Sequence, residues 1–157
     1  MPVAVGEGFR GRDGRLGYLL RQAHQAMRTA MERELRDLEI TASQYSLMSV
    51  LGAQPELTVT ELASDSMLTQ QTTSEIIRVL LREGLVQSEP DATDRRARRI
   101  TLTGRGAAVL READERVRLL EEDALAGLSD DDRHSVVHWL VACAEHFSER
   151  RPAPPLG

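Results

Sequence analysis

The side chains with the most distinctive chemistry are arginines that cluster in one short stretch of the sequence. Between positions 92 and 111 there are six arginines against one acidic residue, Asp94, which gives a local balance of +5. The whole chain carries a net charge of -5, and all 20 of its basic residues are arginine. Guanidinium groups bind phosphate oxygens and guanine edges through paired hydrogen bonds. The local charge predicts a nucleic-acid surface, although the net charge argues against one.

A polar helix face precedes the arginine cluster. Thr69 is a good N-cap for a helix that runs to Glu83, and Gly84 suits the left-handed position that ends helices. Apolar side chains at helical spacing predict a buried stripe of Leu68, Ile76, Ile77 and Leu80. The opposite side consists of Thr69, Gln70, Gln71, Ser74, Glu75 and Arg78. Glutamine pairs with adenine and arginine with guanine, so this face suits base recognition in the major groove. An ordinary solvated helix surface is the simpler alternative.

The surrounding sequence predicts elements that would position this face. Thr41 with Gln44, and Thr58 with Glu61, have the spacing of capping boxes and start two helices. After Gly84 the pattern changes to two short strands, at 85–86 and 99–102, on either side of the arginine-rich segment. A short capped helix, a turn, a polar-faced helix and a basic hairpin give the order of a winged helix-turn-helix. The predicted fold class is mainly α with a small β-hairpin wing.

The flanking helices have more apolar surface than the small winged helix-turn-helix domain can bury. An amphipathic pattern runs from Leu16 to Leu38, a second from Gly104 to Leu125, and a third follows Ser129, which can cap it with Asp132. Uncovered apolar faces predict a dimer. The predicted organisation is a flexible arm (1–12), a helical dimerisation region (13–37 and 104–149), a winged helix-turn-helix (38–103) and a disordered tail (150–157).

Five short segments resemble the MarR (multiple antibiotic resistance regulator) family, and the likeness extends over about residues 16–148. They are residues 40–45 (ITASQY), 60–63 (TELA), 81–86 (LREGLV), 94–97 (DRRA) and 102–106 (LTGRG). The wing segment at this distance from a Gly-Leu-Val helix end is specific, whereas any one piece alone is weak. The resemblance implies a transcription regulator that binds double-stranded DNA.

The wing predicts two kinds of DNA contact. Arg96 is expected in the minor groove, where a narrow A·T-rich segment concentrates negative potential. The family pattern implies that Asp94 pairs with Arg96 and fixes its direction. Arg95, Arg98 and Arg99 are expected at phosphates, which position a protein without reading sequence.

Glu75 departs from the family pattern, which often has arginine there. A carboxylate would repel phosphate but could accept a hydrogen bond from cytosine N4. Arg78, one turn away, either pairs with Glu75 or takes over its base contact. This departure makes the operator sequence uncertain.

The resemblance also implies a triangular homodimer and, in many relatives, a small phenolic or lipophilic effector. A two-fold dimer predicts a pseudo-palindromic operator with half-sites about 10 bp apart. By their positions on the first two helices, the candidate effector-binding residues are Tyr18, His24, Tyr45 and Met48. Core packing, or partial exposure for the histidine, is an equally good interpretation of each.

Other function classes have less support. A winged-helix module that binds another protein instead of DNA is the main alternative, favoured by the net charge and Glu75. His134 and His138 lie one turn apart, but Cys143 points away from them, so neither a metal site nor a cofactor is predicted. Cys143 lies in an apolar helix, which disfavours redox sensing. We expect no enzyme activity, because no nucleophile–base pair or phosphate loop is present, and a cytoplasmic protein without a membrane span.

Overall fold

The computed structural model describes residues 2–91, 94 and 97–149 of the chain. It consists mainly of helices, with one small antiparallel sheet, and confirms the predicted fold class. In chain order the elements are α1 (Leu16–Glu34), α2 (Ala42–Ala53), β1 (Leu57–Thr58), α3 (Val59–Asp65), α4 (Gln70–Arg82), β2 (Val86–Pro90), β3 (Arg98–Leu102), α5 (Gly104–Leu125) and α6 (Asp130–Glu149). Short 3-10 helices lie at Gly8–Arg10 and Arg36–Leu38.

One apolar core joins α2, α3 and α4 to the sheet and to the first part of α5. Its fully buried side chains include Leu47 of α2, Leu62 of α3 and Leu80 of α4, and Ile100 supplies the contact from the sheet. From α5, Ala113 is also fully buried. Since these elements share one core, α4 and the hairpin are fixed relative to each other.

The helix starts follow the capping chemistry that the sequence predicts. Thr41 with Gln44 and Thr58 with Glu61 each form a complete capping box. The Thr69 hydroxyl accepts a hydrogen bond from the backbone N–H of Thr72 at the start of α4. Each cap satisfies a backbone N–H that has no partner within its own helix.

The junction of α4, the hairpin and α5 depends on two glycines and a threonine. Gly84 has φ 68°, in the left-handed region, and ends α4 as the sequence predicts. A side chain at Gly106 could not fit, because its Cβ would lie 1.9 Å from the carbonyl oxygen of Leu85. The Thr103 hydroxyl accepts from the N–H of Gly106 and donates to the carbonyl of Gly84. Gly106 of the LTGRG segment is therefore required for the close approach of α5 to Leu85.

Two features of the fold differ from the sequence prediction. The hairpin is part of a three-stranded sheet, in the order β1-β3-β2, because Leu57 and Thr58 pair with Ile100 and Arg99. The first helix ends at Glu34, and the chain then forms a 3-10 turn instead of continuing helically to Leu38. A 3-10 turn keeps apolar residues near the same spacing, so the pattern alone does not mark this end.

The N-terminal residues contact the beginning of α1. The Arg10 guanidinium donates to the side-chain oxygen of Gln22 at 2.9 Å, and Gln22 donates back to the carbonyl of Arg10. The rings of Phe9 and Tyr18 meet edge to face, with their centroids 5.4 Å apart.

Residues up to Leu120 form one compact unit, and those from Glu121 form a second. In the second unit, Ser129 caps α6 as predicted, by accepting from the backbone N–H of Asp132. Cys143 is half-buried in this helix. Among the residues that the structure describes, no helix combines the length and apolar character that a bilayer crossing requires.

Candidate nucleic-acid interface

Helix α4 separates a buried apolar side from an exposed polar side. Ile77 and Leu80 are buried, and Leu68 and Ile76 pack partly against the same core, as the sequence predicts. Sequence reasoning missed Thr73, which is fully buried on this side. Thr69, Gln70, Gln71, Glu75 and Arg78 are exposed, and Ser74 is half-buried. The structure therefore places all six predicted residues on the side of α4 opposite its buried stripe.

Most polar groups on this face bond to near neighbours. Gln71 donates from its side chain to the Glu75 carboxylate at 3.2 Å, and the Ser74 hydroxyl donates to the carbonyl of Gln70 at 2.8 Å. The Gln70 amide reaches the Thr60 hydroxyl of α3 at 3.4 Å. Exposed bonds of this kind exchange readily with water, so the amides remain available to another partner.

Glu75 and Arg78 do not form an ion pair. The Glu75 carboxylate accepts from Gln71 instead, and the Arg78 guanidinium has no hydrogen-bond or ion-pair partner in the described part of the chain. Of the two alternatives for Arg78, pairing with Glu75 is not what the structure contains. A base contact by Arg78 stays a prediction.

Arg98 is held along the wing by Ser88 on the neighbouring strand β2. Its Nε donates to the Ser88 hydroxyl at 2.7 Å, and its Nη2 donates to the Ser88 carbonyl at 2.6 Å. Ser88 is paired with Ile100 across the β2–β3 ladder, so this contact is diagonal. The guanidinium is exposed, beside an open groove between α4 and the hairpin, which is lined in part by Ser74, Arg78 and Arg98.

Arg99 lies instead in an ion pair at the base of the wing. Its Nε donates to the Asp91 carboxylate at 2.5 Å, and its Nη1 donates to the carbonyl of Glu56 at 2.5 Å. The Asp91 side chain is only 3% exposed, and its second oxygen accepts from the backbone N–H of Asp94. Glu56 has a left-handed backbone, φ 67°, in the turn before β1. One buried carboxylate thus joins the start of the wing loop to β3 and, through Arg99, to the turn before β1.

Sequence reasoning missed Asp91, for which a weak signal existed. An aspartate whose side chain binds a backbone N–H a few residues later is typical of turns, and Pro90-Asp91 stands where β2 ends. The partner carbonyl at Glu56 lies 43 residues from Arg99, so no local pattern indicates it.

The tip of the wing is only partly described. Arg95 and Arg96, predicted at phosphate and in the minor groove, lie outside the described residues, and the proposed Asp94–Arg96 pair does too. Asp94 itself is exposed, and its carbonyl accepts from the N–H of Ala97 at 3.0 Å.

Hydrogen bonds from Thr58 lower the pKa of the Glu61 carboxyl at the start of α3. The backbone N–H of Thr58 has the larger effect and its hydroxyl the smaller, each with a bond of 2.8 Å. The positive charge of Arg99 lowers this pKa further, against an opposing effect of burial. The Glu61 side chain of this capping box is therefore ionised at neutral pH.

The four candidate effector-binding residues do not form one cluster. Tyr18 and His24 are exposed on the first half of α1. Met48 has no exposed surface and belongs to the apolar core. Tyr45 packs against that core and donates its hydroxyl to Asp114 of α5 at 3.0 Å. Of the four, Tyr45 and Met48 lie together, on α2 at the apolar core.

The family model that matches the chain is that of the MarR family, over residues 40–97. Among curated proteins, the chain is similar to the HTH-type transcriptional repressor Rv2887 of Mycobacterium tuberculosis. The two are 30% identical over 117 residues, which is 74% of this chain and 84% of the repressor. These matches confirm the resemblance that the sequence motifs indicate.

The fold is similar to that of solved structures of transcription regulators. The transcriptional regulator MosR of M. tuberculosis, in complex with DNA, is 27% identical, with a TM-score of 0.69 over 87% of this chain and 99% of that one. BpsR of Bordetella bronchiseptica is 25% identical, with a TM-score of 0.75 over 82% of this chain and 98% of its own. The latter structure concerns regulation of DNA binding by 6-hydroxynicotinic acid.

Proposed function

Because the chain belongs to the MarR family of transcription regulators, we propose that it is a ligand-responsive repressor that binds operator DNA as a homodimer. The observation that carries this proposal is the exposed polar face of α4 beside the arginine-bearing hairpin. The shared core holds these two elements together, as simultaneous contact with one duplex requires. Operator binding implies action in the cytoplasm.

Helix α4 supplies the base contacts in this proposal. Gln70, Gln71 and Arg78 are exposed and long enough to reach base edges from the major groove. Thr69 and Ser74 carry hydroxyls for phosphate or base contacts, and Thr69 also caps the helix N-terminus, which favours a nearby phosphate. Glu75 faces the same side and disfavours phosphate, so it selects for a cytosine amino group.

The wing supplies contacts to the DNA backbone and the minor groove. Arg95 and Arg98 bind phosphates, and Arg96 enters the minor groove beside Asp94. Arg99 has two of its nitrogens bonded to Asp91 and Glu56, which supports a positioning role for Arg99 rather than a direct contact with phosphate.

Exposed apolar side chains on α1 and α6 support the homodimer. On α1, Leu16 is 52% exposed and Tyr18 40%. On α6, Trp139 is 41% exposed, together with Val136, Val137, Leu140, Val141 and Phe147. Single exposed apolar residues are ordinary, but six on one helix mark an interaction surface. A two-fold dimer would present two α4 helices to half-sites about 10 bp apart.

The experiment is a mobility-shift series on the DNA that flanks the protein's own gene, at several salt concentrations. We expect specific binding that weakens steeply with salt, because Arg–phosphate contacts release counterions. Arg96→Ala should abolish the specific complex while the dimer content, measured by sedimentation, is unchanged. Arg36→Ala is the matched control, since Arg36 is exposed on the 3-10 helix after α1 and belongs to neither α4 nor the wing.

Binding that is insensitive to both salt and Arg96 would contradict the proposed wing contact. Absence of any specific complex, with an intact dimer, would favour the alternative of a winged-helix module that binds another protein.

A further inference from the structure

The turn between α3 and α4 carries the most exposed large apolar side chain in the part of the chain that the structure describes. Met67 is 92% exposed, whereas Met27 of α1 is 40% exposed and Met48 has no exposed surface. A single exposed apolar residue is ordinary on a protein surface, so exposure alone assigns no role to Met67. Its backbone conformation is a second, independent observation.

The backbone of Met67 has a conformation that favours glycine. Its φ is 55°, in the left-handed region, where a Cβ crowds the following carbonyl oxygen. The N–H of Met67 donates to the carbonyl of Ser64 at 3.1 Å. The N–H of Leu68 donates to the carbonyl of Ala63 at 3.0 Å. This pair of bonds is the Schellman arrangement of a helix end, whose left-handed residue is usually glycine.

The end of α4 has the same arrangement, with glycine in the left-handed position. Gly84 has φ 68°, and its N–H donates to the Leu81 carbonyl at 3.1 Å. The N–H of Leu85 donates to the Leu80 carbonyl at 2.9 Å. The two helix ends therefore share one geometry, which glycine would form without strain at Met67 as well.

The position of Met67 places its side chain beside the start of α4. Leu68, the next residue, packs partly against the apolar core, whereas Thr69 is exposed and caps α4. Met67 and Thr69 thus both lie on the solvent side of the turn, before and after an inward-pointing leucine. In the proposed function the first turn of α4 enters the major groove, so Met67, two residues before the cap, lies at the edge of that groove.

We propose that Met67 is a specificity-determining residue, whose thioether side chain packs against a thymine methyl group at the edge of each operator half-site. The inference rests on the proposed function. The C5-methyl of thymine is an apolar group that bases present in the major groove. The unbranched, polarisable methionine side chain adapts to such a contact and is buried by it. This contact explains why a strained and exposed methionine stands where glycine would form the turn.

A uracil scan of the operator tests the contact, because uracil is thymine without the methyl group. Footprinting locates the protected region, and its thymines are replaced by uracil, one symmetry-related pair at a time. At one pair, the unaltered protein should bind about fourfold more weakly per half-site, as the loss of one buried methyl group predicts. Met67→Gly should bind the thymine and uracil fragments of this pair equally. Met67→Leu, which keeps an apolar side chain, should retain the preference for thymine.

The stability of Met67→Gly separates a DNA contact from a structural role. Glycine suits the left-handed backbone, and the methionine side chain buries little in the free protein, so the urea midpoint of Met67→Gly should not fall. A lower midpoint, with equal weakening on the thymine and uracil fragments, would mean that Met67 supports the turn. That result would overturn the proposal.

Oxidation by hydrogen peroxide gives a measurement that needs no variant. Peroxide transfers one oxygen atom to a methionine sulfur, which yields the sulfoxide and water. In the full-length protein without DNA, Met67 should oxidise faster than Met27, and the operator fragment should slow Met67 alone, because susceptibility follows exposure. Peptide mass spectrometry measures both rates, with Met48 as the buried reference. Oxidation of Met67 near the Met48 rate without DNA would assign the turn to contact between copies of the chain, and overturn the proposal.

Failure of this contact is distinguishable from failure of the proposed function. If no specific complex forms with the thymine fragment, both the proposed function and this contact are refuted. A specific complex whose uracil dependence is the same in Met67→Gly and in the unaltered protein would leave the function standing and overturn the contact alone.

Discussion

The base of the wing and the face of α4 use polar side chains in opposite ways. At the wing base, the Asp91 carboxylate is nearly inaccessible and bridges Arg99 and the backbone of Asp94. On α4, Gln71 and Glu75 bond to each other on an exposed surface. Removing a buried partner leaves an unsatisfied group, whereas water replaces an exposed one. The buried arrangement at the wing base fixes the position of the wing. The exposed arrangement on α4 leaves its side chains free to bond to another partner.

Removing the buried carboxylate should give the largest effect on stability. In Asp91→Ala, Arg99 and the Asp94 N–H lose their shared acceptor, and we expect a loss of about 2 kcal/mol in the free energy of unfolding. This value is below that of a fully buried pair because the Arg99 side chain is 37% exposed. Urea denaturation measures it. Glu89→Ala, an exposed acid on β2, serves as the control, and an unchanged midpoint for Asp91→Ala would refute the anchoring role.

Removing the unpaired arginine of α4 should affect DNA recognition without affecting the fold. Arg78→Ala should cost about 1–3 kcal/mol of discrimination between operator and unrelated DNA. Its unfolding free energy should stay within about 0.5 kcal/mol, because the guanidinium has no partner to lose among the residues that the structure describes. Competition binding measures the discrimination. Arg82→Ala on the same helix is the control, since its side chain is 74% exposed and only loosely paired with Glu83. Equal losses in both variants would indicate a nonspecific charge effect.

A smaller effect, of opposite sign, is expected at Glu75. Glu75→Gln removes a negative charge from the α4 face and keeps a side chain that can bond Gln71, so binding to random-sequence DNA should tighten about threefold at low salt. The gain should diminish as salt rises. Glu83→Gln makes the same charge change at the end of the helix. Tighter binding in Glu83→Gln, and not in Glu75→Gln, would show that the DNA does not lie against the Glu75 side of α4.

The smallest effect concerns pH and the α3 cap. The pKa of Glu61 is lowered in the folded protein, so its contribution to stability is present above the unfolded value and is lost as pH falls through the folded value. Stability should therefore decline on acidification below about the ordinary glutamate pKa of 4.5. Glu61→Gln, which retains an acceptor, should decline less over this range. Carboxyl NMR titration of Glu61 checks the direction, and a pKa at or above 4.5 would contradict it.

The elements governed by local chemistry could be predicted from the sequence. The capping boxes at Thr41 and Thr58 and the end of α4 at Gly84 depend on residues a few positions apart, and the structure confirms them. The extent of α5, Gly104–Leu125, also agrees with its apolar seam. The exposed side of α4 follows from the same periodicity.

The features that escaped prediction depend on distant contacts. Strand β1 has two residues, too few to show a pattern, and exists because it pairs with β3. The Arg99 contact with the Glu56 carbonyl requires the same pairing.

Thr103 anchors the N-terminal end of α5 to the end of α4. Its hydroxyl ties the first turn of α5 to the carbonyl of Gly84, and Gly106 lets the helix lie directly on the Leu85 carbonyl. From Gly104 to Leu120 the helix is about 25 Å long, so a tilt of about 5° about its N-terminal end moves Leu120 by about 2 Å. A small tilt at the N-terminus of α5 can therefore leave the hydrogen bond between Thr103 and Gly84 intact and still displace Leu120.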